Sequence, residues 1–341
     1  MTPIKINNSN IINVSLFFFP LAFILGNSIT NINFVIFTVL GVYYVFRNKI
    51  NIPFDNLIKI IFCLFLIIIL SSILNLINNY HNINHPDITI NDYWESLKKS
   101  LIFFRYFIFT LVFVALSNYG LINFKYILSS ILFFSLCLSV DIIIQSFFGS
   151  NILGFKQIAD GVNSGFFGKE LVAGGYLQRL SIPALFFLYY LFRNNKNYNS
   201  FIFVAGISLI GIGIILASNR MPLLSFLLGM SLFLLACKNL RKNILVGILI
   251  VLLSFVFIFK NHNYTNEKFH SFVGAIERIV RYTGITISTQ VKKVTNEKFE
   301  EKPLDRIYYR KGAGYLELYR AAIYTFKENY VLGNGPKNFF N

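Results

Sequence analysis

The sequence predicts an all-α, polytopic membrane protein, and three observations carry that prediction. Apolar residues fill 55% of the 341 positions and charged residues only 13%, where a soluble globular chain carries nearer a quarter charged. The apolar residues fall in long runs, not in the short stripes of a soluble core. Many basic residues stand in short connections between those runs, where lysine and arginine set membrane orientation. The net charge of +16 is thus not gathered on one soluble module. This argues against a nucleic-acid partner and makes membrane lipids the expected surroundings.

A helix needs about 20 residues to cross the hydrocarbon core. About nine candidates occur, at 10–27, 30–46, 57–78, 101–118, 126–147, 177–192, 200–217, 222–237 and 243–259. Several are a little short, and the first pair also fits a re-entrant hairpin. Lys5 precedes the first run, but no small-residue cleavage site follows, so the run reads as an uncleaved span. Arg47 and Lys49 follow the second span, and Lys125 lies between the fourth and fifth. Arg193 and Lys196 follow the sixth, and Lys238, Arg241 and Lys242 the eighth. All fall on the side of the N-terminus, which the positive-inside rule makes cytoplasmic. The other side receives 79–100, 148–176, the turn at 217–222 and everything after Lys260. Lys98 and Lys99 are the outward exceptions; they abut the fourth span and are placed to snorkel to headgroups. The predicted organisation is a transmembrane bundle over 1–259 and an external segment over 260–341.

The external segment is polar and contains one amphipathic helix, at about 313–331. Tyr315, Leu316, Tyr319, Ala322, Ile323 and Phe326 follow helical spacing on one face. Glu317 and Arg320 form an i,i+3 pair on the other. Gly333, Gly335 and Pro336 end the helix. Cys63, Cys137 and Cys237 all lie inside apolar runs, which reads as packing and not as disulfide or metal chemistry.

Charges inside apolar runs need an explanation, because each costs at least ~2.5–3.5 kcal/mol at the bilayer centre. Arg105 lies a short way into the fourth span. Asp141 sits in the fifth, with Gln145 one turn later on the same face. Arg179 opens the sixth span, and Arg220 stands at the turn between the seventh and eighth. Each has a structural alternative as a headgroup anchor or ion pair. Arg179 and Arg220 share one leaflet and flank tight turns, which favours a binding role.

The stretch GFFGKELVAGGYLQR, from Gly165 to Arg179, is polar and glycine-rich at the edge of an apolar span. Its glycines allow sharp turns and close backbone approach. If the intervening residues are helical, Glu170 and Arg179 lie about two and a half turns apart. Arginine suits bidentate phosphate recognition, so a cavity with two or three arginines at the membrane edge fits the diphosphate of a lipid-linked donor. The alternative is a solvated loop in which Lys169 and Glu170 face water.

Four stretches carry a family resemblance: DIIIQSFFGSNILG, NSGFFGKELVAGGYLQRLSIP, ASNRMPLLSFLLG and GYLELYRAAIYTFKENYVLGNGPKNF. In that order, from about residue 141 to 340, they resemble the O-antigen ligase and O-antigen polymerase superfamily of bacterial integral-membrane glycosyltransferases. The first 140 residues agree only as generic spans. The resemblance implies a multi-pass inner-membrane protein with a cytoplasmic N-terminus and a periplasmic C-terminal segment. It implies transfer of a glycan from undecaprenyl diphosphate to the lipid A core or to a second lipid-linked glycan, without metal or other cofactor. Carried over, Arg220 binds the donor diphosphate and stabilises it as leaving group, Arg179 assists, and Glu170, beside Lys169, orients the external segment or the sugar. Arg105 and Asp141 are secondary candidates.

The chain departs from the family pattern in two places. Many members carry an arginine just before the external helix, where this chain has Tyr315; Arg310 or Arg320 then becomes the substitute. Members also continue into a histidine motif and further spans, and a histidine there is the favoured general base. His81, His85, His262 and His270 match none of the family's positions, and the chain ends at Asn341. The expectation is therefore a truncated member, without transferase activity as it stands and with no assignable catalytic base. The competing classes are a transporter or lipid flippase, which predicts inverted repeats that are not evident, and a non-catalytic membrane scaffold.

Overall fold

The computed structural model describes residues 9–81, 90–159, 161–192, 196–218 and 220–261. The external segment predicted over 260–341, with its amphipathic helix, Arg310 and Arg320, lies outside the described residues apart from its first two positions.

Among the described residues the fold is all-α, and every apolar run is helical. α1 (Ser9–Phe17) and α2 (Phe19–Leu25) divide the first run at Phe18. Pro20, in the first turn of α2, has no N–H with which to continue the helix ladder. Gly26, with φ of 110°, separates α2 from α3 (Asn27–Arg47). The remaining elements are α4 (Asn56–His81), α5 (Ile90–Phe103), α6 (Arg105–Asn118), α7 (Phe124–Phe148), α8 (Ala173–Phe192), α9 (Lys196–Leu216), α10 (Arg220–Ala236) and α11 (Arg241–Asn261). α7 is closed at both ends. The Asn123 side chain accepts from the Lys125 amide at 3.1 Å, and Gly149 takes the left-handed C-terminal conformation at φ 73°.

Among the described residues five helical stretches are long and apolar enough to cross a membrane: Asn27–Arg47, Asn56–Leu74, Trp94–Asn118, Phe124–Phe148 and Lys238–Lys260. Ser200–Leu216 and Met221–Ala236 are apolar but shorter. Only 17% of the apolar window in Lys238–Lys260 and 22% of that in Asn56–Leu74 is buried within the protein. Helices that turn most of an apolar surface outward belong in hydrocarbon.

The sequence predicts a connection over 79–100, yet 90–100 is helical and continues almost directly into α6. Its buried face explains the difference. Ser96 and Ser100 are buried against α4, so the packed side of α5 is polar by composition and invisible to a hydropathy window.

The described residues fall into two compact units. The first takes those of 1–37 and 122–289, and α8 is its centre, packed on α7, α9 and α10. Leu138, Ile142, Leu177, Leu185, Ile207, Ile210 and Phe226 form its core. α9 and α11 approach closely: a Cβ on Gly211 would stand 2.4 Å from Val251, and one on Gly247 would stand 2.8 Å from Ile207. Small residues at such crossings are how helices gain van der Waals contact within a bilayer. The second unit takes the described residues of 38–121 and packs α4 on α5 and α6. Phe62, Phe65, Phe104 and Phe107 interlock there, with Phe62 and Phe107 5.2 Å apart. The Ser72 and Ser100 hydroxyls hydrogen-bond across α4 and α5. Lys99 pairs with Glu95 at 2.6 Å, so this outward-exception lysine has an acidic neighbour one turn away.

Candidate functional site

α7 and α9 end, and α8 and α10 begin, at the same end of the first unit. Ser139, Leu177 and Gly213 fix this level: a Cβ on Gly213 would be 3.1 Å from both Leu177 and Ser139. The connection after α7, described over 149–159 and 161–172, folds back over this end. It does so through side chains that are polar and buried, and such groups need hydrogen-bond partners.

Asp141, on α7, is fully buried beneath the connection. Its carboxylate accepts from Asn151 Nδ2 at 3.1 Å and from the Ile152 amide at 3.0 Å. Asn151 Oδ1 in turn accepts from the amides of Leu153 and Phe155. One turn on, Gln145 donates to the Phe155 carbonyl at 3.1 Å and accepts from the Gly165 amide at 2.8 Å. Gln157 donates to the Gln145 carbonyl at 3.0 Å and to Asn163 Oδ1 at 2.9 Å. Asn163 Nδ2 then donates to the carbonyl of Leu216, the last residue of α9, at 2.8 Å. That carbonyl is among those a helix end leaves without an internal donor. Ser218 closes the circuit, its hydroxyl donating to the Gly161 carbonyl at 2.6 Å. Ser218 holds φ of 57°, uncommon for a residue with a side chain.

This circuit joins three of the stretches that carry the family resemblance. Asp141 and Gln145 come from the first, Asn163 and Gly165 from the second, Ser218 from the third. Gly165 is the tightest point. Its φ is 55°, and a Cβ there would lie 2.8 Å from Leu138, 3.1 Å from Ile142 and 3.2 Å from the Asp141 carboxylate. The sequence indicates a glycine turn here; the structure adds that the turn is wedged onto α7.

The predicted site residues occupy this end to differing degrees. Arg220 is the first residue of α10, two positions past Ser218; its side chain lies outside the described residues. Arg179 is exposed on α8. α8 and α10 start at the same end, and a Cβ on Gly229 would meet Ile182 at 2.8 Å. Counting 1.5 Å per residue from that contact, Arg179 stands roughly 9 Å deeper along the axis than Arg220. Lys169 and Glu170 are both exposed, in the turn between the 3₁₀ stretch Gly165–Phe167 and α8. α8 begins only at Ala173, so Glu170 and Arg179 are not on one continuous helix. Asp141 belongs to the buried circuit and anchors the connection. Arg105 lies in the second unit, where its guanidinium covers the Tyr106 ring at 4.9 Å and donates to the Tyr106 hydroxyl at 3.1 Å.

Asn151, Gln157, Asn163 and Ser218 were not singled out by sequence reasoning. Asn151 had a signal, since asparagine ahead of a glycine turn supplies its own side-chain hydrogen bonds. Among the described residues no group of three or more His, Cys, Asp or Glu side chains is placed to hold a metal ion. Comparison with protein-family models, curated proteins and solved structures finds no match for this chain.

Proposed function

We propose that this chain belongs to the membrane-embedded glycosyltransferases of the O-antigen ligase or polymerase type, and that residues 1–341, to which no catalytic base is assigned, supply the donor site without transferring glycan by themselves. It crosses the inner membrane nine times, from a cytoplasmic N-terminus to a periplasmic segment beyond Lys260. Its donor is a glycan on undecaprenyl diphosphate, and its acceptor is the lipid A core or a second lipid-linked glycan. The convergence of three resemblance-bearing stretches on one end of the first unit is the observation that supports this reading best. The buried polar circuit holds this end in one shape, which a binding site built there would require.

In this reading Arg220, at the start of α10, faces the donor diphosphate and stabilises the charge that develops on the departing oxygen. Arg179, deeper on α8, holds the same diphosphate from the side of the prenyl tail. Glu170 and Lys169 meet the sugar above it. Deprotonating the acceptor hydroxyl requires a general base, a role given to none of these residues.

The test is Arg220→Ala in cells whose surface glycan depends on this gene. Transfer should fall by about 10²–10³-fold, as when one donor to a developing oxyanion is removed. The lipid-linked donor should accumulate while membrane protein levels stay unchanged, and Arg220→Lys should retain part of the activity. Undiminished transfer by Arg220→Ala would remove the reading, and loss of solute uptake in place of glycan transfer would favour a transporter.

A further inference from the structure

The tip of the first turn after α7 has the wrong residues for water. The segment 150–156 is a tight hairpin: Ser150 bridges Lys156, and the Asn151 amide donates to the Phe155 carbonyl at 2.9 Å. Gly154, at φ 84°, completes the turn. The two residues at the apex are Ile152 and Leu153, 62% and 64% exposed. Turn apices normally carry Gly, Asn, Asp, Ser or Pro. Phe147 and Phe148, just before the hairpin, are 80% and 78% exposed, and Phe155 on its returning arm is also exposed. Five large apolar side chains thus cluster on a turn fixed from beneath by Asp141 and Gln145.

We propose that this hairpin is a membrane-interface anchor that seats in the leaflet where α7 emerges. Continuity decides the occupant. α7 is 25 residues long, about 37 Å at 1.5 Å per residue, which exceeds the ~30 Å hydrocarbon core. Exposed Phe133 and Val140 on α7 run toward Phe147 and Phe148 without a change in character, so the lipid-facing side of the helix continues into the hairpin. Lys156, exposed on the returning arm, is placed to reach lipid phosphates. The buried carboxylate gives the hairpin a fixed pose, so it enters the leaflet already folded. The inference rests on the hairpin alone and stands whether or not the protein transfers glycans.

The chain has one tryptophan, Trp94, which makes the test direct. In a Trp94→Phe background, Leu153→Trp and Phe148→Trp are made separately in the full chain. Each is reconstituted into phosphatidylcholine–phosphatidylglycerol liposomes, with and without lipids brominated near the glycerol end of the acyl chain. Phe133→Trp, midway along α7, serves as the reference for deep lipid contact. Both tryptophans, in the hairpin and just before it, should emit to the blue, lose most of their emission to the shallow bromines, and resist aqueous acrylamide. Red-shifted emission open to acrylamide would overturn the proposal, because the hairpin would then stand in water. Blue emission indifferent to brominated lipid would also overturn it, because another part of the chain or a second copy would then cover the turn.

Discussion

Asn163 donates its side-chain amide to the carbonyl of Leu216 across 53 positions of sequence, at 2.8 Å. The bond ties the connection after α7 to the end of α9, and Ser218 adds a second tie to the Gly161 carbonyl. Both side chains are buried, and the Ser218 hydroxyl also stands 3.4 Å from the Leu216 carbonyl.

Removing either tie should therefore be felt. Asn163→Ala and Ser218→Ala should each cost about 1–3 kcal/mol, the penalty for stranding a buried acceptor. Because both ties close one loop, the double variant should cost less than the sum. Denaturation midpoints of the full chain in detergent micelles measure this; strict additivity would mean the two ties act independently.

Asp141 and Asn151 form a directional pair, acceptor facing donor. Asp141→Asn sets two amide donors against each other and should destabilise by about 1–3 kcal/mol. The reciprocal swap, Asp141→Asn with Asn151→Asp, restores one acceptor and one donor and should recover most of that loss. Protease sensitivity of the connection 149–172, followed beside the thermal midpoint, reports whether the hairpin has come loose. Failure of the swap to recover either quantity would assign Asp141 a role other than anchoring.

Gly165 and Gly175 should respond to alanine with opposite signs. At Gly165 the new methyl meets Leu138 at 2.8 Å on a left-handed backbone, so strain and overpacking together should cost about 2–4 kcal/mol. At Gly175, within α8, nothing lies within 4 Å, and alanine should be neutral or stabilise by up to about 1 kcal/mol. The paired thermal midpoints separate a structural glycine from an incidental one.

Arg179 is exposed, so Arg179→Ala should leave stability within about 0.5 kcal/mol, as surface substitutions usually do. If it holds the donor diphosphate, glycan transfer should nevertheless fall. A transfer assay run beside the melting curve distinguishes this from a headgroup anchor, whose loss would leave transfer intact.

The long apolar runs were legible because hydropathy alone decides a span: α3, α4, α7 and α11 stand where 30–46, 57–78, 126–147 and 243–259 predicted helices. α5 was not, because serines line its packed side. Asp141 and Gln145 were legible as a same-face pair, since their spacing is one helical turn. Their partners were not, because Asn151, Asn163 and Ser218 reach the circuit only after the connection folds back, and no local pattern encodes that fold. The glycine at 165 was legible as a turn, but the wedge between Leu138 and Ile142 depends on a helix more than 20 positions earlier.

The break at Phe18 has one more consequence. The chain stops one helix and starts the next there, and neighbouring helices use backbone oxygens beside the break: Ser130 donates to the Phe17 carbonyl, and the Tyr176 hydroxyl donates to that of Pro20 at 3.0 Å. The N–H that Pro20 lacks would have met the Leu16 carbonyl, so these two bonds rest on the interruption at Phe18 and would outlast a change at Pro20. The bundle gains cohesion from an imperfection in its thinnest member.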